Sequence, residues 1–284
     1  MNTNTLATAL DGFAAIAPTA EPEDYVQDGL LMCGHCHTRK QMPMDIPFLG
    51  GMRLVPVGCQ CAIAHRDARD EAARRREFQR RQSELRAKGI ADPDYMRHRF
   101  EADDGNNQTV GAVCRRYVDE WPQMRGENIG MLLYGGVGTG KSFFAACIAN
   151  ALLDQCIPAG MTTIGRTLNQ IQATYEGKQG IIDRLRGYEL LVIDDLGAER
   201  DTEYAAEQVF NIIDGRVRTG RPMIVTTNLD LRELEHPQDL RYRRIFSRVL
   251  EACPIRMPME GEDRRKANGD AKAEAARRIL LGRG

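Results

Sequence analysis

The sequence contains no run of apolar residues near the roughly 18–20 that cross a bilayer; its longest stretches are short, such as LLVI at Leu190–Ile193. That excludes a membrane-spanning helix. It also lacks an excess of either charge, with 39 Lys+Arg against 40 Asp+Glu and a net charge of −1. A neutral total excludes no class of partner, because nucleic-acid binding needs a local basic surface and not a global surplus. The alanine-rich start, residues 1–20, has no positive n-region and places Asp11 inside the would-be apolar stretch, so no secretory leader is expected and the reading is cytoplasmic. No internal repeat is visible. What the chain does have is length and ordinary hydrophobicity. Its 284 residues, 42% of them apolar, exclude wholesale disorder and exceed the roughly 100–200 residues of one domain.

Residues 1–28 show weak periodicity broken by Pro18 and Pro22 and are expected to form an arm or short helix with a flexible exit. A Cys/His/Gly-rich module follows over 29–64. From His65 to Lys88 the chain is rich in Ala, Arg, Glu and Gln without Pro or Gly, the properties of an exposed helix, and Gly89 ends it. Residues 65–94 are thus a basic helix and linker, and the turn signals DPD (Asp92–Asp94) and DDGNN (Asp103–Asn107) continue to Thr109. Over 95–266 short apolar runs alternate with helical periods, which predicts a mainly parallel α/β sheet. Strands are expected near Met131–Tyr134, Met161–Ile164, Glu189–Ile193, Met223–Thr227 and Pro254–Met257, and helices over Lys141–Leu153, Leu168–Glu176 and Thr202–Arg218. The tail, 267–284, reads as an amphipathic helix over Ala271–Leu281.

The strongest chemical signal is GGVGTGKS, made of Gly135, Gly136, Val137, Gly138, Thr139, Gly140, Lys141 and Ser142, which fits G-x-x-x-x-G-K-[ST] between an apolar strand and an apolar-faced helix. Glycines let the backbone wrap until its N–H groups and the helix N-terminus point at a β-phosphate. Lys141 then neutralises β/γ oxygens and Ser142 offers a hydroxyl to Mg²⁺. A carboxylate on a later buried strand is required next, and LLVIDDLG (Leu190–Gly197) supplies two: Asp194 for the Mg²⁺ shell and Asp195 to polarise the attacking water. A third strand ends in Thr226, Thr227 and Asn228, and Asn228 is the expected water-orienting sensor; the same residues are ordinary turn formers.

Eight cysteines fall into two groups. Cys33 and Cys36 form one hook and, after a 22-residue spacer, Cys59 and Cys61 form a second. Two such hooks in a cytosolic setting suit a structural Cys₄ zinc (Zn²⁺) site better than disulfides, with His35 and His37 as alternative nitrogen ligands. Cys114, Cys147, Cys156 and Cys253 are scattered singly in apolar contexts and read as small buried hydrophobes.

Together LLYGGVGTGKS, LLVIDDLG, IVTTNL and IFSRV resemble the AAA+ ATPases, and within them the DnaC/DnaI-type replicative helicase loaders and the IstB-type transposition helpers, over about residues 95–265. The resemblance implies an α/β P-loop NTPase fold: a five-stranded parallel sheet, the phosphate-loop strand beside the strand ending at Asn228, and a minimal lid. It implies that Arg248, in IFSRV, is an arginine finger reaching a neighbouring subunit's γ-phosphate, and that Arg265 is the sensor arginine, with Arg264 beside it leaving the assignment open by one residue. The physical case for Arg248 is that a planar guanidinium can supply positive charge to the phosphoryl-transfer transition state; the alternative is a solvated basic face shared with Arg241, Arg243 and Arg244. Many related ATPases carry Glu where Asp195 stands, and the shorter Asp predicts slow turnover stimulated by DNA or a partner.

A cysteine-bearing N-terminal domain ahead of a basic helix and an ATPase resembles the DnaI-type loaders. The implied function is an ATP-dependent loader that grips a hexameric replicative DNA helicase, binds single-stranded DNA, assembles as a homo-oligomer with ATP, and uses the ATP cycle as a release switch. An IstB-type helper acting on duplex DNA and a nucleotide-binding adaptor with little turnover are the alternatives. Candidate DNA contacts are the arginines of 66–86 and, after the second strand, Gln170, Gln172, Tyr175, Lys178, Arg184 and Arg186; a solvated helix and core packing of Tyr175 are the bland readings.

Overall fold

The structure, a computed structural model, describes residues 20–47, 50–174, 177–199 and 202–281. The chain divides into two compact units, Met1–Phe78 and Gln79–Gly284. In the first, β1 (Tyr25–Gln27) and β2 (Leu30–Met32) pair antiparallel. Asp28 and Gly29 both hold positive φ, 53° and 76°, which is the Asp-Gly tight turn that matches strand twist. A second hairpin joins β3 (Gln41–Ile46) to β4 (Gly51–Pro56) from Gln41↔Pro56 to Ile46↔Gly51. Among the described residues regular structure begins at Tyr25, within the expected arm, and most of that arm lies outside the described residues.

Helix α1 (Gln60–Gly89) starts five residues before His65, inside the second cysteine hook. From Ala62 to Arg81 it is exposed on every side, and its charges pair along it, Arg80 with Glu84 at 3.2 Å and Arg75 with Glu71. That is the solvated-helix reading. From Gln82 it packs within the second unit: Gln82 donates to the Asp154 carbonyl at 2.9 Å, Arg86 pairs with the Asp154 carboxylate, and Ile90 bridges Met161. At Gly89 a Cβ would collide with the Ala159 carbonyl, so glycine ends the helix by allowing this close approach.

The second unit continues with α2 (Pro93–Arg97), α3 (Gln108–Asp119), α4 (Trp121–Gly126), β5 (Met131–Gly135), α5 (Lys141–Asp154), β6 (Ala159–Thr163), α6 (Ile164–Ala173), α7 (Lys178–Gly187) and β7 (Leu190–Leu196). After these come α8 (Glu203–Val217), β8 (Met223–Thr227), α9 (Leu231–Glu235), α10 (Leu240–Ala252), β9 (Ile255–Met259) and α11 (Arg264–Leu281). The five-stranded sheet is parallel in the order β6-β7-β8-β5-β9. The expected α/β P-loop fold is what forms.

Strand alternation divides the core in two. Met131, Leu133, Val192 and Ile224 face a cluster with Phe144, Ile148 and Leu152 of α5, whereas Leu132, Leu191, Ile193 and Val225 face one with Val209, Ile213, Ile245 and Val249. Burial on both faces explains why the strands read as continuous apolar runs. Cys114, Cys147 and Cys253 are buried as expected, while Cys156 is only partly buried.

Several boundaries differ from the sequence reading for local reasons. The second strand stops at Thr163 because its side chain accepts from Arg166 N–H and caps α6, which then starts at Ile164 and not at Leu168. The Asp92-Pro93 turn signal is instead a helix start, with Asp92 as N-cap and Pro93 in the first turn of α2. The final helix begins at Arg264, seven residues early, because the Asp263 carboxylate accepts from Arg265 N–H at 2.9 Å.

Candidate nucleotide and metal sites

β5 runs directly into the phosphate loop, where Gly135, Gly138 and Gly140 take φ of 123°, 75° and 100°. These are backbone conformations that side chains strain. Gly140 is the N-cap of α5 with no side-chain cap bond, so the first N–H groups and the positive end of the helix dipole are left for an anion. Thr139 is buried and its hydroxyl donates to the Gly136 carbonyl at 2.9 Å; Val137 is exposed at the loop tip. Lys141, 4% exposed, donates to the carbonyls of Gly135 (2.9 Å) and Gly136 (2.6 Å). Burial lowers its pKa, while Asp195 and Asp194 oppose the shift. A phosphate entering the loop would exchange those carbonyl bonds for charge-assisted ones. Ser142 sits half-buried in the first helical turn.

Asp194 is fully buried at the end of β7. Its Oδ1 accepts from the Thr226 hydroxyl and its Oδ2 from the Tyr95 hydroxyl, both at 2.6 Å. Asp195 follows in a bulge between Ile193 and Leu196, with φ of 55°, and its N–H donates to Thr226 Oγ1 at 3.0 Å. A non-glycine residue in that conformation is strained and directs its side chain differently from its strand neighbours. Burial raises the Asp195 pKa and the adjacent Asp194 adds to it, whereas Arg265 and Lys141 oppose. Such a shift suits a general base. On the neighbouring strand Tyr134 is opposite Thr227, so the exposed Asn228 comes level with the start of the loop. Lys141, Ser142, Asp194, Asp195 and Asn228 thus share one edge of the sheet.

Arg264 and Arg265 begin α11, where two cations oppose the helix dipole. A bound anion nearby would offset that local cost. Arg264 donates its backbone N–H to the Gly138 carbonyl at 3.2 Å, and its guanidinium lies against Gly140 and pairs with Asp104 at 3.0 Å. Arg265 is exposed, and its charge acts on both Lys141 and Asp195. A cleft of about 360 Å³ beside the loop is lined by Asn106, Asn107, Thr139 and the Glu260–Arg264 segment. Arg248 is held elsewhere in the chain, by Asp214 of α8 at 3.2 Å and Glu251 at 3.0 Å. Its neighbours are engaged too, Arg241 by Asp239 and Arg244 over the Phe210 ring at 4.3 Å.

In the first unit the sulfurs of Cys33, Cys36, Cys59 and Cys61 all lie within 4.8 Å of one another, with Cys59–Cys61 at 3.2 Å and Cys33–Cys61 at 3.5 Å. Tetrahedral zinc with bonds of about 2.3 Å needs sulfurs about 3.8 Å apart, so the set fits. His35 and His37 are exposed and lie outside the cluster. The Thr38 hydroxyl lowers the Cys36 thiol to about 5, whereas the surrounding sulfurs, Cys59 first, push Cys61 up to about 12. Four thiolates at these distances repel unless a cation joins them. Thr38 also accepts from Gln60 N–H at 3.0 Å, which ties the two hooks together.

Residues 62–269 match the family of IstB-like ATP binding proteins. The chain belongs to this family. As an IstB-like ATP-binding protein it is 26% identical over 153 residues to the replicative helicase loader DnaI of Bacillus subtilis, covering 49% of each chain. It is 28% identical over 126 residues to the replicative helicase loader DnaC of Escherichia coli K12, covering 43% of this chain and 50% of that one. The chain spans about half the length of these curated relatives. Among solved structures, a DnaI crystal structure matches with a TM-score of 0.51 at 22% identity, covering 62% of this chain and 95% of that one, which carries the fold alone.

The IstB-like domain also uses residues that sequence reasoning missed. Tyr95, Asp104 and Asn107 fall in the turn-rich stretch that runs to Thr109, yet Tyr95 reaches Asp194, Asp104 pairs with Arg264, and Asn107 donates to the Thr139 carbonyl at 3.3 Å. The Asp92-Pro93 cap and the Asn-rich turn were their only local signal. Of the candidate DNA contacts, Lys178 lies 5.9 Å from the Tyr204 ring, Arg184 reaches Gln170, and Arg186 pairs with Asp183. Tyr175 lies outside the described residues.

Proposed function

We propose that this IstB-like protein is an ATP-dependent loader that holds a hexameric replicative DNA helicase, delivers it to single-stranded DNA, and uses ATP binding and hydrolysis as the release switch. The observation that carries the reading is the likeness of its phosphate-loop domain to proteins named replicative helicase loaders. Bound Mg²⁺ would supply charge to the β- and γ-phosphate oxygens. Lys141 and the N–H groups of 135–142 bind the phosphates, Ser142 and Asp194 hold the metal's shell, Asp195 accepts the proton of the attacking water, and Asn228 orients that water. Arg265 binds the γ-phosphate from within the chain. Arg248 leaves Asp214 and Glu251 to serve a neighbouring copy, so turnover requires a homo-oligomer. Cys33, Cys36, Cys59 and Cys61 hold a structural zinc in a module that grips the helicase in the cytoplasm.

The test is a loading assay in which the helicase unwinds a fork whose single strand is coated by a binding protein. The full chain should accelerate unwinding with ATP, and Lys141→Ala should not. No acceleration by the full chain would overturn the reading. The alternative that goes with the resemblance to IstB-type helpers is a transposition helper on duplex DNA; tighter binding to duplex than to single strands at matched salt would select it.

A further inference from the structure

The deepest feature of the nucleotide site is not at the phosphate loop. Asp194 has no exposed surface, and each of its oxygens accepts one short hydroxyl bond, from Thr226 on the adjacent strand and from Tyr95 on α2. A carboxylate has room for about four hydrogen bonds, so both oxygens retain an acceptor position while the two hydroxyls fix the plane of the group. Thr226 is part of the sheet. Tyr95 is not, and its placement is separately secured: Asn150 of α5, 1% exposed, donates to the carbonyls of Tyr95 at 2.7 Å and His98 at 3.1 Å. The His98 ring then packs on Phe143 with centroids 5.2 Å apart. The segment that leaves α1 is therefore clamped onto the phosphate-loop helix with a phenol aimed at the buried carboxylate.

We propose that Tyr95 is a positioning residue that sets the orientation of Asp194 toward Mg²⁺, and so sets the metal dependence of nucleotide binding. The inference rests on Asp194 being the magnesium-shell carboxylate. Partners of this kind, one bond out from the metal's own ligands, are worth about 10–100-fold in metal affinity when removed. The hydroxyl's position two helices away from the loop also means that the segment 92–98, which follows α1 within the second unit, is in hydrogen-bond contact with the carboxylate that would hold the metal. Movement of that segment would be felt at the metal.

The experiment is a Mg²⁺ titration of fluorescent ATP-analogue binding by the full chain, alongside the same binding in EDTA. Tyr95→Phe keeps the ring and removes the oxygen. It should raise the Mg²⁺ midpoint about tenfold or more while leaving EDTA binding unchanged, a split that a merely structural role would not produce. A midpoint within about twofold of the native chain's, or a shift to lower Mg²⁺, would overturn the proposal. If Tyr95→Phe fails to fold, Asn150→Ala decides: it leaves the hydroxyl but frees its backbone, and an unchanged midpoint would equally overturn the proposal. Failure of the site reading looks different, because the native chain itself would then bind the analogue without Mg²⁺ dependence, or Lys141→Ala would bind as tightly as native.

Discussion

Removing metal from the cysteine cluster should unfold the first unit and leave the second intact. Among the described residues of 20–78 only Cys33 and Cys59 are buried, at 3% each, whereas Val26, Met52 and Leu54 are 70%, 65% and 50% exposed. Burying a whole Leu or Phe side chain is worth about 1.5–3 kcal/mol, and two cysteines supply less. A structural zinc contributes about 10–16 kcal/mol, so the metal outweighs the apolar term several-fold. What else holds the hairpins is polar: Lys40 pairs with Asp24 at 2.5 Å, and Asp24 also accepts from the N–H groups of Gly34 and Glu21. The assay is hydrogen–deuterium exchange on the full chain before and after chelation, with zinc content measured. Protection over 25–56 should collapse while peptides from β5 to β9 stay unchanged, because those strands lie between two apolar clusters of their own. Undiminished protection over 25–56 in zinc-free protein would refute the reasoning, and Cys36→Ser should reproduce the chelated result.

Arg216→Met should cost about 4 kcal/mol or more in urea unfolding, since the fully buried guanidinium donates to the carbonyls of Arg186, Tyr188, Glu189 and Pro222 at 2.6–3.1 Å and its loss leaves these buried acceptors unsatisfied at about 1–3 kcal/mol each; a cost below about 1 kcal/mol would contradict that account. Arg248→Ala should cut steady-state ATP hydrolysis by roughly a thousandfold with binding unchanged, and adding equimolar Lys141→Ala protein, which retains Arg248, should restore part of the rate. Unchanged hydrolysis would remove the finger assignment. Arg265→Ala should lower turnover by roughly tenfold or more, and Arg264→Ala, which breaks the pair with Asp104, should lower thermal stability first; the reverse ranking would move the sensor to Arg264.

The parts of the fold that could be read in the sequence are those whose signal is local. The strand Met223–Thr227 forms as expected, and GGVGTGKS lies between β5 and α5 because apolar runs and glycines at required positive φ are properties of short segments. Asp194 and Asn228 could be placed because strand ends on one edge of a parallel sheet converge. Long-range pairings were not available from that kind of signal. Tyr95 and Asp194 are separated by 99 positions, Asn150 and the Tyr95 carbonyl by 55, and only packing of the 92–107 stretch onto α5 brings them together. Turn chemistry was ambiguous for the same reason, since Asp-Pro serves equally as a turn and as a helix start. Arg216, expected simply to lie within a helix, closes the far edge of the sheet by reaching four carbonyls that no periodicity marks.

The loader reading is tested most directly by mass photometry of the full chain mixed with a hexameric replicative helicase from the same cells, with and without ATP and Mg²⁺. A species heavier than the helicase hexamer should appear with the native chain. It should be lost with the zinc-stripped protein. A helicase hexamer whose mass stays unchanged in every condition would contradict the account.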